Sequence, residues 1–213
     1  MEKALQKFEH YLKIAPRHVF LLRNAGRVFS MVGKSEEAIK VGKLAVELDP
    51  MQTVSYQLLA LSLASAENYL EAIFYLRKAQ ELSNATDLNL VIYYVLNHEV
   101  EKAVKENLKL TGAAREFGEV IIAHEQKNTG KAMLLLDTYI KKNGENYPMR
   151  CAQAAAFMDN KDLAFKWLEI CLQRKSSGFS DNIINVKSNS LLKSLRDDPR
   201  FKELLKRVNF PEI

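Results

Sequence analysis

The chain has 213 residues, 47% of them apolar and 27% charged, with a formal net charge of +5. No run reaches the ~20 apolar residues of a membrane-spanning helix, two cysteines are too few for a disulfide scaffold, and 8 glycines with 5 prolines argue against a loop-built fold. Basic residues alternate with acidic ones, so the charge favours acidic partners without marking a nucleic-acid surface.

The first fifteen residues predict one amphipathic helix, with Leu5, Phe8 and Leu12 on its apolar side. Ala4, Ala38 and Ala72 then stand 34 residues apart, and Pro16 and Pro50 keep the same step. A period of that length marks one supersecondary unit used repeatedly. In the unit 17–50, Leu22, Ala25, Gly26 and Phe29 share a face of a first helix, and Gly33 breaks it. Ser35 is the expected N-cap of a second helix, with Glu36 and Glu37 in its first turn and Ala38, Gly42 and Ala45 facing inward. The unit 51–84 repeats this with Tyr56, Leu59, Ala60 and Leu63, a turn at Glu67-Asn68, then Ala72, Leu76 and Ala79. Gly26, Ala38, Ala60 and Ala72 are small where two helices are expected to cross closely.

Downstream the period loosens. The helix-opening alanines Ala72, Ala103, Ala132 and Ala164 are separated by 31, 29 and 32 residues. The apolar run Leu88–Leu96 would suit a buried strand taken alone. In a helical array it is expected as the first helix of a shortened unit, 85–110, turning at Asn97-His98. The unit 111–144 pairs a helix over 113–126 with one over 131–142 across Asn128-Thr129-Gly130. The unit 145–174 carries Pro148, Cys151, Ala152 and Ala155, a turn at Asp159-Asn160, then Ala164, Leu168 and Cys171. An irregular connection over 175–190 and a cap over 191–213 complete the chain, with Asp198 an N-cap and Pro199 the first helical residue.

The positions shared by residues 17–84 resemble the tetratricopeptide repeat, a 34-residue helix pair. The resemblance implies an all-α, right-handed α-solenoid of antiparallel helix pairs, about 12–13 helices in all. Asn84 departs from the pattern, which has proline there. The segments Asp159–Glu169 and Leu195–Leu205 further resemble the ends of such regions in bacterial signalling proteins, behind winged-helix, class III adenylate cyclase or Ser/Thr kinase domains. Residues 1–16 match only the second half of a unit. The natural chain is therefore expected to extend upstream of Met1, leaving Leu5, Phe8 and Leu12 partly exposed or buried by another copy.

Catalytic and metal motifs fail individually. Gly33-Lys34-Ser35 lacks the earlier glycine of a phosphate loop, since position 28 is Val28. His10, His18, His98 and His124 are separated, and His124-Glu125 lacks a second histidine. Cys151 and Cys171 are expected as reduced core residues, without two further zinc ligands nearby. No enzyme activity, cofactor or metal is expected. The resemblance places first helices along a concave groove. The expected partner-binding residues there are Phe20, Arg23, Asn24, Arg27, Gln57, Leu61, Arg150 and Gln153, with Met31, Val54, Leu58, Met149 and Phe157 beside them. Arginine pairs carboxylates bidentately, so the expected partner is an acidic or carboxylate-bearing protein or peptide. The expected role is a non-catalytic interaction scaffold in the cytoplasm, attached to an upstream signalling domain. A stand-alone adaptor, a homo-oligomeric scaffold and, more distantly, an enzyme with an unrecognised site are the alternatives.

Overall fold

The computed structural model describes residues 2–174 and 183–208, which form twelve α-helices, two short 3-10 helices and no strand. The expected connection lies outside the described residues from 175 to 182, as does the expected cap from 209 onward. The chain divides into two compact units, one running to Asp87 and one covering Leu88–Val208.

The first unit holds α1 (Glu2–Ile14), α2 (Val19–Val32), α3 (Ser35–Leu48), α4 (Thr53–Ser65) and α5 (Tyr69–Ser83). Helices α2 and α3 form one hairpin and α4 and α5 the next, stacked through α3 on α4 and α2 on α4. The second unit holds three hairpins: α6 (Leu88–Leu96) with α7 (Val100–Asn107), α8 (Gly112–Glu125) with α9 (Thr129–Asn143), and α10 (Pro148–Phe157) with α11 (Lys161–Arg174). The 3-10 helices Ile183–Asn185 and Ser190–Leu195 follow, then α12 (Pro199–Arg207).

One turn builds all five hairpins. A left-handed residue ends each first helix: Gly33, Glu67, His98, Lys127 and Asp159. Each lies five positions before its hairpin's alanine, Ala38, Ala72, Ala103, Ala132 or Ala164. The next amide reaches back five residues to the helix, as Lys34 to the Phe29 carbonyl (2.9 Å), Glu99 to Tyr94 (2.8 Å) and Asn160 to Ala155 (2.8 Å). This closure satisfies carbonyls that the helix end would leave unpaired. The repeat thus holds its register at the turn, and the irregular spacing is absorbed elsewhere.

Small residues set the helix crossings. All five alanines are fully buried. A Cβ on Gly26 would stand 3.2 Å from Val41 Cγ2, and one on Gly42 would stand 3.0 Å from Leu59 Cδ1. The apolar run 88–96 is helical and buried from Leu90 to Val95, as a helix must be when it is apolar all round.

Several local expectations are corrected. The N-cap of α3 is Lys34, and Ser35 is the first helical residue, without a cap bond. Side-chain caps occur instead at Asn68, which accepts from the Glu71 amide, and at Asn128, which accepts from the Lys131 amide. Thr129 and Gly130 belong to the first turn of α9, so that turn falls at Gln126–Asn128. Tyr56 is only half-buried, and its hydroxyl donates to the Pro50 carbonyl at 3.0 Å. Helix α1 docks on its own chain. Leu5 is buried against Ala25, Phe29, Val32 and Ala38, with Phe8 and Leu12 packed beside it. Lys34 Nζ donates to Glu9 at 2.8 Å and holds α1 to the start of α3. Of the three residues expected to be partly exposed or buried by another copy, Leu5 is buried by its own chain, while Phe8 and Leu12 stay half-buried.

The end of the second unit is cross-braced. Asp198 caps α12 through the Arg200 amide. The Arg200 guanidinium bridges Asp198 and Asp162 and lies 4.3 Å over the Phe165 ring. Arg207 forks onto both oxygens of Glu169 at 2.6 and 2.8 Å. These pairs join α12 to α11, while Phe201 and Leu204 fill the space beneath.

Candidate functional site

The expected groove residues fall in both units, and each set is described by itself. On α2, Phe20, Arg23, Asn24 and Arg27 follow the i, i+3, i+4, i+7 spacing of one helix face. Leu22, Ala25 and Phe29 are buried instead. Ser30 continues the arginine face, and its hydroxyl meets Ser62 of α4 at 2.9 Å. This face of α2 is therefore turned toward α4. Gln57 and Leu61 share a face of α4, both half-buried, and Val54 is exposed at its start. The structure thus brings Phe20, Arg23, Asn24 and Arg27 onto one helix and sets that helix beside the one carrying Gln57 and Leu61.

The electrostatics of this face are uneven. Phe20 is 59% exposed, a large apolar ring in water. The Asn24 amide donates to the Phe20 carbonyl at 2.8 Å and is occupied with its own helix. Arg23 is half-buried, and its Nε is fully buried without a hydrogen-bond partner. Burial lowers the Arg27 guanidinium below the usual arginine range, because desolvation disfavours the charged form. A buried donor without an acceptor costs about 1–3 kcal/mol. A carboxylate arriving at the accessible part of the Arg23 side chain would bring the opposite charge.

In the second unit, Arg150 and Gln153 are half-buried on α10. The Arg150 guanidinium stacks 4.6 Å above the Tyr147 ring, a partner that spacing along one helix did not reveal. Phe157 meets His124 edge-on at 5.2 Å. Met31 and Met149, expected beside the groove, are core residues, at 3% and 2% exposure. A neighbouring helix covers each, and one helix's periodicity carries no information about that neighbour.

Elsewhere the second unit has a cleft of about 210 Å³ lined by Phe165, Glu169, Arg200, Glu203, Leu204 and Arg207. Its arginines are already held by Asp198, Asp162 and Glu169. Among the described residues, no three His, Cys, Asp or Glu side chains gather as metal ligands. The histidines sit apart: His98 with Glu125 at 2.7 Å, His124 on Phe157, and His10 beside Tyr11. Cys151 and Cys171 are buried on α10 and α11 and form no disulfide. No described helix is long and apolar enough to cross a membrane.

No family model and no curated protein sequence matches the chain. Among solved structures it is similar to a chain of the structure titled Naa15/Naa10 bound to HypK-THB, at 19% identity and a TM-score of 0.45. The match covers 97% of this chain and 33% of that one, so the chain spans about a third of its length. The class defined by the fold is an α-helical repeat protein built of tetratricopeptide-like hairpins that share one turn.

Proposed function

We propose that the chain is a non-catalytic protein-interaction scaffold whose α2–α4 face binds an acidic or carboxylate-bearing segment. Arg23 carries this reading: a buried guanidinium nitrogen without an acceptor, on a face shared with the desolvated Arg27 and the exposed Phe20. A carboxylate pairs with the guanidinium charge that this face carries, and Phe20 offers an apolar anchor beside it. The resemblance of residues 159–169 and 195–205 to the ends of helical-repeat regions in signalling proteins supports a regulatory role within a larger assembly.

The test is an array of acidic and C-terminal-carboxylate peptides probed with the wild-type chain and with the double variant Arg23→Ala/Arg27→Ala. The double variant should keep its helical circular dichroism and lose capture, with the larger gap at low salt, where charges are less screened. Equal capture by both proteins, or no saturable binding at any salt, would reject the reading.

A further inference from the structure

The α2–α4 face changes along its length. It is closed where the two helices approach their hairpin turns and open where they start. Ser30 and Ser62, toward the turns, are 1% and 2% exposed and share a hydrogen bond of 2.9 Å. At the starts, Phe20 and Val54 stand 34 residues apart, in the same position of consecutive units, and Met51 just precedes α4. These three are 59%, 44% and 74% exposed. Single apolar residues on a surface are ordinary, but three at the starts of two packed helices form a patch of the kind that marks a docking site. The patch lies away from α1, whose Leu5 packs on Ala25, Phe29 and Val32, another side of α2.

Charge on the face has one sign. Neither α2 nor α4 carries a carboxylate, and Arg23 and Arg27 are the only charged side chains on the two helices. The carboxylates sit on the second helices instead: Glu36, Glu37 and Glu47 on α3, Glu71 and Glu81 on α5. The one nearest Met51 in sequence, Asp49, ends α3. An amphipathic helix docks through apolar residues repeated along its length. Here the large exposed apolar side chains are confined to one end, and Arg23, Asn24 and Arg27 follow along α2. Phe20 and Arg27 are about 10.5 Å apart along the helix axis, the span of about three residues of extended chain. We infer that the partner segment is extended and carries an apolar side chain three residues from an acidic one, the apolar group seated among Phe20, Met51 and Val54 and the carboxylate at the arginines. The spacing and the apolar seat deepen the carboxylate-binding function proposed above and rest on it.

The probes are glycine–serine peptides carrying one tryptophan and one glutamate adjacent, three residues apart or seven apart, each in both orders, with a peptide carrying the glutamate alone. Titrations of the whole chain, followed by NMR shifts of the α2 and α4 amides, should show the three-residue peptide, in one of its two orders, binding about tenfold tighter than the rest. Phe20→Ser/Val54→Ser should bring that peptide down to the level of the glutamate-only one, with helical circular dichroism retained because both residues are exposed. Arg23→Ala/Arg27→Ala should weaken every peptide. Equal affinity at all spacings, or tightest binding at seven residues, the spacing a helical ligand needs, would overturn the inference and leave the acidic-segment function standing. An absence of shifts in α2 and α4 with every peptide up to millimolar concentration would reject both.

Discussion

Replacing Gly118 with alanine should expose how tightly α7 and α8 are fitted. A Cβ at that position would stand 2.0 Å from Asn107 Oδ1, 2.7 Å from its Cγ and 3.2 Å from its Nδ2. The amide must move, yet Asn107 is only 4% exposed and its Nδ2 donates to the Arg115 carbonyl at 3.2 Å. Moving it gives up that bond inside the protein, at about 1–3 kcal/mol, and overpacking adds a similar amount. The expected loss is about 2–6 kcal/mol. For a chain of this size that corresponds to a fall in Tm of roughly 4–24 °C. Asn107→Ala alone should cost about 1 kcal/mol through the lost hydrogen bond. The double variant Asn107→Ala/Gly118→Ala should then be more stable than Gly118→Ala alone, because the added methyl enters the space the amide left. Thermal and urea melts of the four proteins close the cycle. A Gly118→Ala variant within about 0.5 kcal/mol of wild type, or strictly additive effects, would refute the reasoning.

Gly26→Leu should cost about 1–3 kcal/mol by forcing α2 and α3 apart, read as a lower urea midpoint with helicity retained. At the shared turn, Glu67→Gly and Lys127→Gly should each raise stability by about 0.5–1 kcal/mol, because a non-glycine left-handed residue is strained; Gly33→Ala should lower it, and urea midpoints check all three. The Arg200 guanidinium holds the Asp198 carboxyl at about 2, below its ordinary value near 4. A depressed carboxyl stabilises the fold above the ordinary value and loses that contribution as pH falls from about 4 to about 2. The docking of α12 should therefore weaken in that window, as read by NMR shifts of Phe201, and Asp198→Asn should already show the acid-weakened state at neutral pH. Arg207 lowers Glu169 in the same way, so both pairs loosen in acid.

Much of the fold is legible in single positions. The alanines, Gly26 and Gly42 mark helix crossings because only small side chains let two backbones approach, and a 34-residue step between them fixes a helix pair. Asp198-Pro199 announces its helix start chemically. The shared turn was harder to read. Only Gly33 advertises a left-handed residue, while Glu67, His98, Lys127 and Asp159 adopt one because the two flanking helices are pinned by packing. Asn84, standing where the repeat pattern has proline, is itself left-handed at the end of α5, a state asparagine tolerates. The arginine spacing on α2 was written in the sequence, as was the composition of the α4 face. The unpartnered Arg23 Nε, the burial of Met31 and Met149, the Asn107–Gly118 fit and the seating of Leu5 against Ala25 and Phe29 were not. Each depends on which neighbouring helix covers a residue, and that neighbour lies a helix or more away along the chain, where local periodicity has no reach.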